Sequence, residues 1–299
     1  MGEARSEVGS GRGGLKLLLQ LSPVLVPFVV IFLGGFFLAL AQSLGYMVPV
    51  PGERGFSVGL GRVLADSSFY ASFGFSFYVA FFSAGLSVVF GTALAYLIWR
   101  MPPGWRSLAV IYKVPLVLPH IAVAFIVLVL WTQSGFVASI GHSLGLIDRP
   151  AQFPPLLFAG NGLGLILAYT YKGSAFVILM VHAVLFRLDQ RLPATAAMLG
   201  ASRWTVFFRV VLPHLGPVLN TSFIILFLYS FGAFDIPFLL SESYPGMLSI
   251  KVYNLYFQRD LVHRPEAMAV LVVMFIFSAF FIYLYTRAIS RFEPKERKL

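Results

Sequence analysis

The sequence predicts an all-α polytopic membrane protein with six transmembrane helices and both termini on the cytoplasmic side. Three observations carry that prediction. The 299 residues are 59% hydrophobic and only 11% charged, far from the polar surface a soluble domain of this size needs. The apolar residues gather into six runs, at about 17–41, 69–99, 114–131, 163–186, 213–240 and 266–289, each near the length that crosses a hydrocarbon layer about 30 Å thick. Lys and Arg are also unevenly shared between the connections. Three stand in the N-terminal tail, three after the second run, four between the fourth and fifth, and five in the C-terminal tail, against six in all the opposite loops. By the positive-inside rule the termini and the 187–212 loop are cytoplasmic. The formal charge of +10 is therefore mostly topology, and no basic stretch interleaved with aromatics points to nucleic acid.

Each element then has its own reason. Residues 1–14 are small, polar and basic, and read as a disordered cytoplasmic tail. The first run carries Pro23 and Pro27 but is too long for a signal-peptide core, so it reads as a retained span. Between it and the second run a Pro/Gly turn precedes a short amphipathic piece with Leu60, Val63 and Leu64. In the second span Ser83, Gly85, Ser87 and Gly91 would let a neighbouring helix come close. The third begins with Pro115 and Pro119, and the loop after it holds a small helix within FVASIGHSLGLI. Lys172 lies within the fourth span and Asp235 within the fifth. A polar loop at 241–265 precedes the sixth span, and 292–299 is a basic tail. The membrane domain is thus expected over 15–291.

The stretch ATAAMLGASRWTVFFRVVLP, Ala194–Pro213, sits between two strongly apolar runs, yet Arg203, Arg209, a mid-stretch Gly200 and a terminal Pro213 rule it out as a membrane span. Ala194 to Leu199 favour helix, Gly200 permits the turn, and Ser202 can cap a second short helix bearing Trp204, Val206, Phe207 and Val210. Pro213 then suits the first turn of the fifth span. A small triplet, three residues, Gly, nine residues, an aliphatic, any residue, Leu and Pro form a pattern filled here by Ala194, Thr195, Ala196, Gly200, Val210, Leu212 and Pro213. This resembles the coupling (EAA) motif of permease subunits in type I ATP-binding cassette importers, where Glu usually stands at the position of Ala194. The stretches at 76–98, 114–122 and 232–240 look like the polyamine, thiamine, ferric iron and phosphonate branch.

The resemblance implies the MetI-like fold of that class and a place in the bacterial inner membrane. It implies partners: two ATPase subunits, a second similar or identical permease, and an extracytoplasmic solute-binding protein. Thr195, Ala196, Gly200, Ala201, Ser202, Arg203 and Trp204 are the expected ATPase contacts. The chain has no G-x-x-x-x-G-K-[ST] loop, so ATP and Mg are expected on partner subunits and no cofactor or metal on this one. No Ser/His/Asp or paired-carboxylate cluster suggests catalysis. His120 and His214, each after Leu-Pro, read as interfacial. Lys172 and Asp235 are either translocation-path residues or a structural pair or snorkelling side chains. Asn220 and Thr221 either line that path or join helices by hydrogen bonds. A self-contained secondary transporter or channel is the alternative from another class.

Overall fold

A computed structural model of the protein describes residues 9–48, 52, 54–241, 244–257 and 260–291, and the tail expected at 292–299 lies outside them. Among the described residues six helical stretches are long and apolar enough to cross a membrane. The chain divides into two compact units, residues 1–65 with 255–273, and residues 66–254 with 274–299.

The first unit holds α1 (Gly9–Ser43), α2 (Leu60–Ala65) and the start of α13 (Arg264–Ile289). Helix α1 begins at Gly9, so helix replaces the disordered tail expected for residues 9–14, while residues 1–8 lie outside the description. Once the apolar run has nucleated a helix, extending it costs little per residue. Helix α2 is the amphipathic piece, with Val63 buried. Just before it, Gly59 packs on the carbonyls of Ser43 and Pro265, where a Cβ would stand 2.6 Å from the Pro265 oxygen. Arg62 pairs with Glu266 at 3.3 Å across the same contact.

The second unit is the bundle. Helix α3 (Ser67–Trp99) and α7 (Leu163–Leu185) form its close-packed seam. A Cβ at Gly91 would fall 2.5 Å from Val177 Cβ, and one at Gly173 would overlap Ser87 Oγ. Ser83, Ser87 and Gly91 therefore serve the close approach expected of them. Gly85 does not, because a Cβ there meets nothing within 4 Å. Outside this seam the fit is aromatic. Phe73, Phe77 and Phe81 of α3 interleave with Phe223, Phe227 and Phe231 of α10 (Leu212–Gly232), and with Phe277 and Phe281 of α13. Their spacing of four residues keeps each set on one helix face.

Two expected spans are broken. The third is a short helix α4 (Val114–Val117), an extended Leu118, and α5 (His120–Trp131), which leads through a turn into α6 (Phe136–Ser143). Pro119 has no N–H for the carbonyl of Pro115, so the α ladder stops there. The fifth leaves α10 at Ala233, in extended geometry, and restarts as α11 (Asp235–Leu240). Pro237 has no N–H for the Ala233 carbonyl, and the span expected to run unbroken over 213–240 is interrupted there. Asp235 is thus an exposed first-turn residue of a new helix, where a negative charge is favoured.

The loop at 241–265 also contains a helix, α12 (Leu248–Phe257). Its first N–H is taken by the buried Ser76 hydroxyl of α3 at 2.8 Å. Lys251 of α12 reaches the Asp66 carboxylate at 2.6 Å, and Asp66 caps α3 by accepting from the Ser68 N–H.

Candidate functional site

The cytoplasmic motif folds as a helix pair with a fixed turn. Asp189 accepts from the Arg191 N–H at 2.9 Å and so opens α8 (Arg191–Met198). Pro193 falls within its first turn, where the missing N–H has no partner to lose. The helix ends in a Schellman turn: the Gly200 N–H bonds the Ala197 carbonyl, the Ala201 N–H bonds that of Ala196, and Gly200 has φ 85°. That left-handed backbone strains any residue with a Cβ. Ser202 caps α9 (Arg203–Val206), its hydroxyl accepting from the Thr205 N–H at 3.2 Å.

The second short helix expected here is not separate. After α9 the chain makes one π turn over Phe207–Val211, in which the Leu212 N–H bonds the Phe207 carbonyl, and runs on into α10. The wider turn takes up the residue that cannot pair when Pro213 enters the helix.

The two sides of this element differ in kind. On the inner side Val206, Val211 and Leu215 are buried against Val177, Ile178, Val181 and Leu185 of α7 and Ala95 of α3. Ala196, Ala201 and Val210 pack partly against the same cluster, and Leu212 is half-buried. On the outer side Ala194, Thr195, Gly200, Ser202, Arg203, Trp204 and Pro213 are exposed. Met198 is 88% exposed, Leu199 83% and Trp204 72%, with the Trp204 ring stacked on Phe208 at 6.2 Å. Under α8 a cavity of about 350 Å³ is lined by Tyr96, Trp99 and Arg100 of α3 with Ala194, Ala197 and Arg203.

The second place of interest lies in the middle of α7. Lys172 Nζ donates to the carbonyls of Pro115, at 3.1 Å, and Leu118. It supplies the donor that Pro119 lacks and closes the break between α4 and α5. It is therefore not paired with Asp235. The structure brings to Lys172 three residues that the sequence reading left out of the path: His120, Tyr169 and Tyr229, around a cavity of about 300 Å³. The His120 and Tyr229 rings lie 5.0 Å apart. His120 is half-buried at the wall of this cavity. The usable signal was the three-residue spacing of Tyr169 and Lys172, which puts both on one helix face. Asn220 and Thr221 do not join this group. Thr221 is exposed and its hydroxyl bonds the Pro217 carbonyl of its own helix at 2.9 Å.

Among the described residues no group of three or more His, Cys, Asp or Glu could hold a metal ion.

The pattern of the family described as binding-protein-dependent transport system inner membrane component matches residues 87–297. The probable sulfate transport system permease protein cysT of Marchantia polymorpha is 26% identical over 190 residues, 63% of this chain and 62% of that protein. The molybdenum transport system permease protein ModB of Escherichia coli (strain K12) is 29% identical over 161 residues, 54% of this chain and 66% of that protein. The chain thus spans a little under two thirds of the length of these relatives. They carry sulfate or molybdenum in their names, where the sequence resemblance suggested polyamine, thiamine, iron or phosphonate. In fold, a chain of a bacterial alginate ABC transporter, solved in complex with an alginate pentasaccharide-bound periplasmic protein, superposes with a TM-score of 0.76. It is 17% identical and the match covers 94% of this chain and 96% of that one.

Proposed function

From the premise that this chain belongs to the binding-protein-dependent transport system inner membrane component family, we propose that it is the membrane-spanning subunit of an ATP-driven importer of a small solute. The drive enters through residues 194–213. ATP and Mg are bound by two separate ATPase subunits, a second permease completes the pore, and a solute-binding protein delivers from outside. The ATPase is not part of this chain, and the chain itself is not an enzyme.

One observation carries the reading. The motif presents an exposed apolar face, Met198, Leu199, Trp204 and Phe208, on an element whose other face is locked into the bundle core. A partner that grips this face moves α7 and α10 with it, because close-packed side chains pass displacement on with little give. Closure of two ATPase subunits on nucleotide then favours one orientation of the bundle over the other, which is alternating access by differential affinity. Lys172 spends two ammonium protons on backbone carbonyls, which gives a self-contained ion-coupled transporter no support.

The test is Trp204→Ala in the assembled complex. Trp204 makes its contacts at the surface, so the bundle folds as before, while an aromatic anchor lost from the centre of an interface costs about 2 kcal/mol or more. The expected result is roughly thirtyfold weaker retention of the ATPase, with ATP-driven uptake falling alongside. Unchanged retention and uptake would refute the coupling role.

A further inference from the structure

The cavity around Lys172 is a built site for which the fold itself has no use. Tyr169 is 4% exposed, it lines the cavity, and its hydroxyl is buried without a hydrogen-bond partner. A buried phenol with an idle O–H is less favourable than a phenylalanine in the same place. Lys172 has three ammonium protons, two of which go to Pro115 and Leu118. That leaves one for the cavity, and His120 and Tyr229 stand at its wall. Leu116, Phe176, Ile225 and Leu226 make up most of the remaining lining, with the Ser230 hydroxyl as a further polar group.

We propose that this cavity is the transit site for the solute, and that the solute is a small tetrahedral oxyanion of the sulfate or molybdate type. The proposal rests on the importer reading above and names the solute class for it. The side chains at hand offer donors: an ammonium, two phenols and an imidazole. The backbone carbonyls nearby are already taken by Lys172. A polyamine or thiamine cation would meet the Lys172 charge, with no carboxylate among the residues lining the cavity to offset it. A stripped oxyanion offers four acceptor oxygens, and about 300 Å³ is roughly ten times the volume of one water, ample for it. Lys172 is held only at the cavity wall, by two backbone carbonyls. A site used for passage has to release what it binds.

The experiment uses the full transporter, purified with its ATPase and solute-binding protein and reconstituted in vesicles. ATP-driven uptake of labelled sulfate, molybdate, putrescine and thiamine is compared between wild type and Tyr169→Phe. Affinity of the isolated solute-binding protein is measured separately, so that its selectivity is held apart. The expected result is uptake of an oxyanion, reduced about tenfold by Tyr169→Phe, with a thermal midpoint equal to or above wild type because an unpaired hydroxyl has gone. A purely structural Tyr169 would not lose uptake while gaining stability. Equal oxyanion uptake in both proteins overturns the site. ATP-driven uptake of putrescine or thiamine, or ATP hydrolysis with uptake of neither oxyanion, overturns the solute class. Absence of any co-purifying ATPase is a different failure, that of the importer reading, and this proposal falls with it.

Discussion

Asp66 does two jobs that substitution can separate. Its carboxylate caps α3 through the Ser68 N–H and binds Lys251 of α12. Burial alone would raise its pKa, but the hydrogen bonds from Lys251 and Ser68 outweigh it and hold the group below its ordinary value. A carboxyl depressed on folding stabilises the native state above its unfolded pKa, about 3.9, and loses that contribution as pH falls through the lower folded value. The tie is therefore intact across neutral pH and gives way only under acid, below about pH 4. With the Asp66 side chain 40% exposed, the pair contributes no more than ~1 kcal/mol. Asp66→Asn keeps the cap and should lower the melting temperature slightly at pH 7, with the loss shrinking as pH falls below about 4. Asp66→Ala also removes the cap and should cost about 1 kcal/mol more. Equal melting of the two variants at pH 7 would show that the cap contributes nothing.

Helix α3 shows at the next scale how far a list of small residues can be read. Gly91→Leu forces a side chain onto Val177 and the Ser174 carbonyl and should destabilise the bundle by about 1–3 kcal/mol or more. Gly85→Leu, on the open side of the same helix, should leave the melting temperature where it is. The sequence named both glycines alike, because a pattern of small residues marks a helix fit for close approach without saying which face meets the neighbour. The six spans, the amphipathic α2, the small helix α6 and the helix, turn, helix of the motif were all legible, being written in local hydrophobicity and in Gly200 and Ser202. The breaks at Leu118 and Ala233 were not. Pro119 and Pro237 were visible, but a proline bends or breaks a span according to what takes up the freed carbonyl, and for Pro115 that is Lys172, more than fifty residues away. Helix α12 was missed for a similar reason. Its start depends on the Ser76 hydroxyl of another helix, and its polar sequence, SIKVYN within 248–257, shows no span-like run. Tyr169 and Tyr229 passed as packing aromatics because nothing local distinguishes a phenol that lines a cavity from one that fills a core.

Across the molecule, α7 and α10 join the Lys172 cavity to the motif. Each bears part of that cavity, and each contributes to the buried cluster behind the motif. The contacts between α10 and α3 are rings against rings, from Phe81 and Phe223 at 5.7 Å to Phe73 and Phe231 at 5.7 Å. Such stacked and edge-on pairs hold the helices together without polar bonds that must break before they shift. The π turn at Phe207–Val211 adds a consequence of another sort. One extra residue in a helical path advances its phase by about 100°, so this turn fixes the compass bearing at which Trp204 leaves the fifth span. Deleting exposed Arg209 should restore an ordinary α register, leave every span in place, and swing the motif by about 100° round the helix axis. In vesicles the deleted protein should still be inserted and folded, yet ATP hydrolysis and uptake should no longer keep step. The gearing of the importer, in that case, is set by a single residue too many.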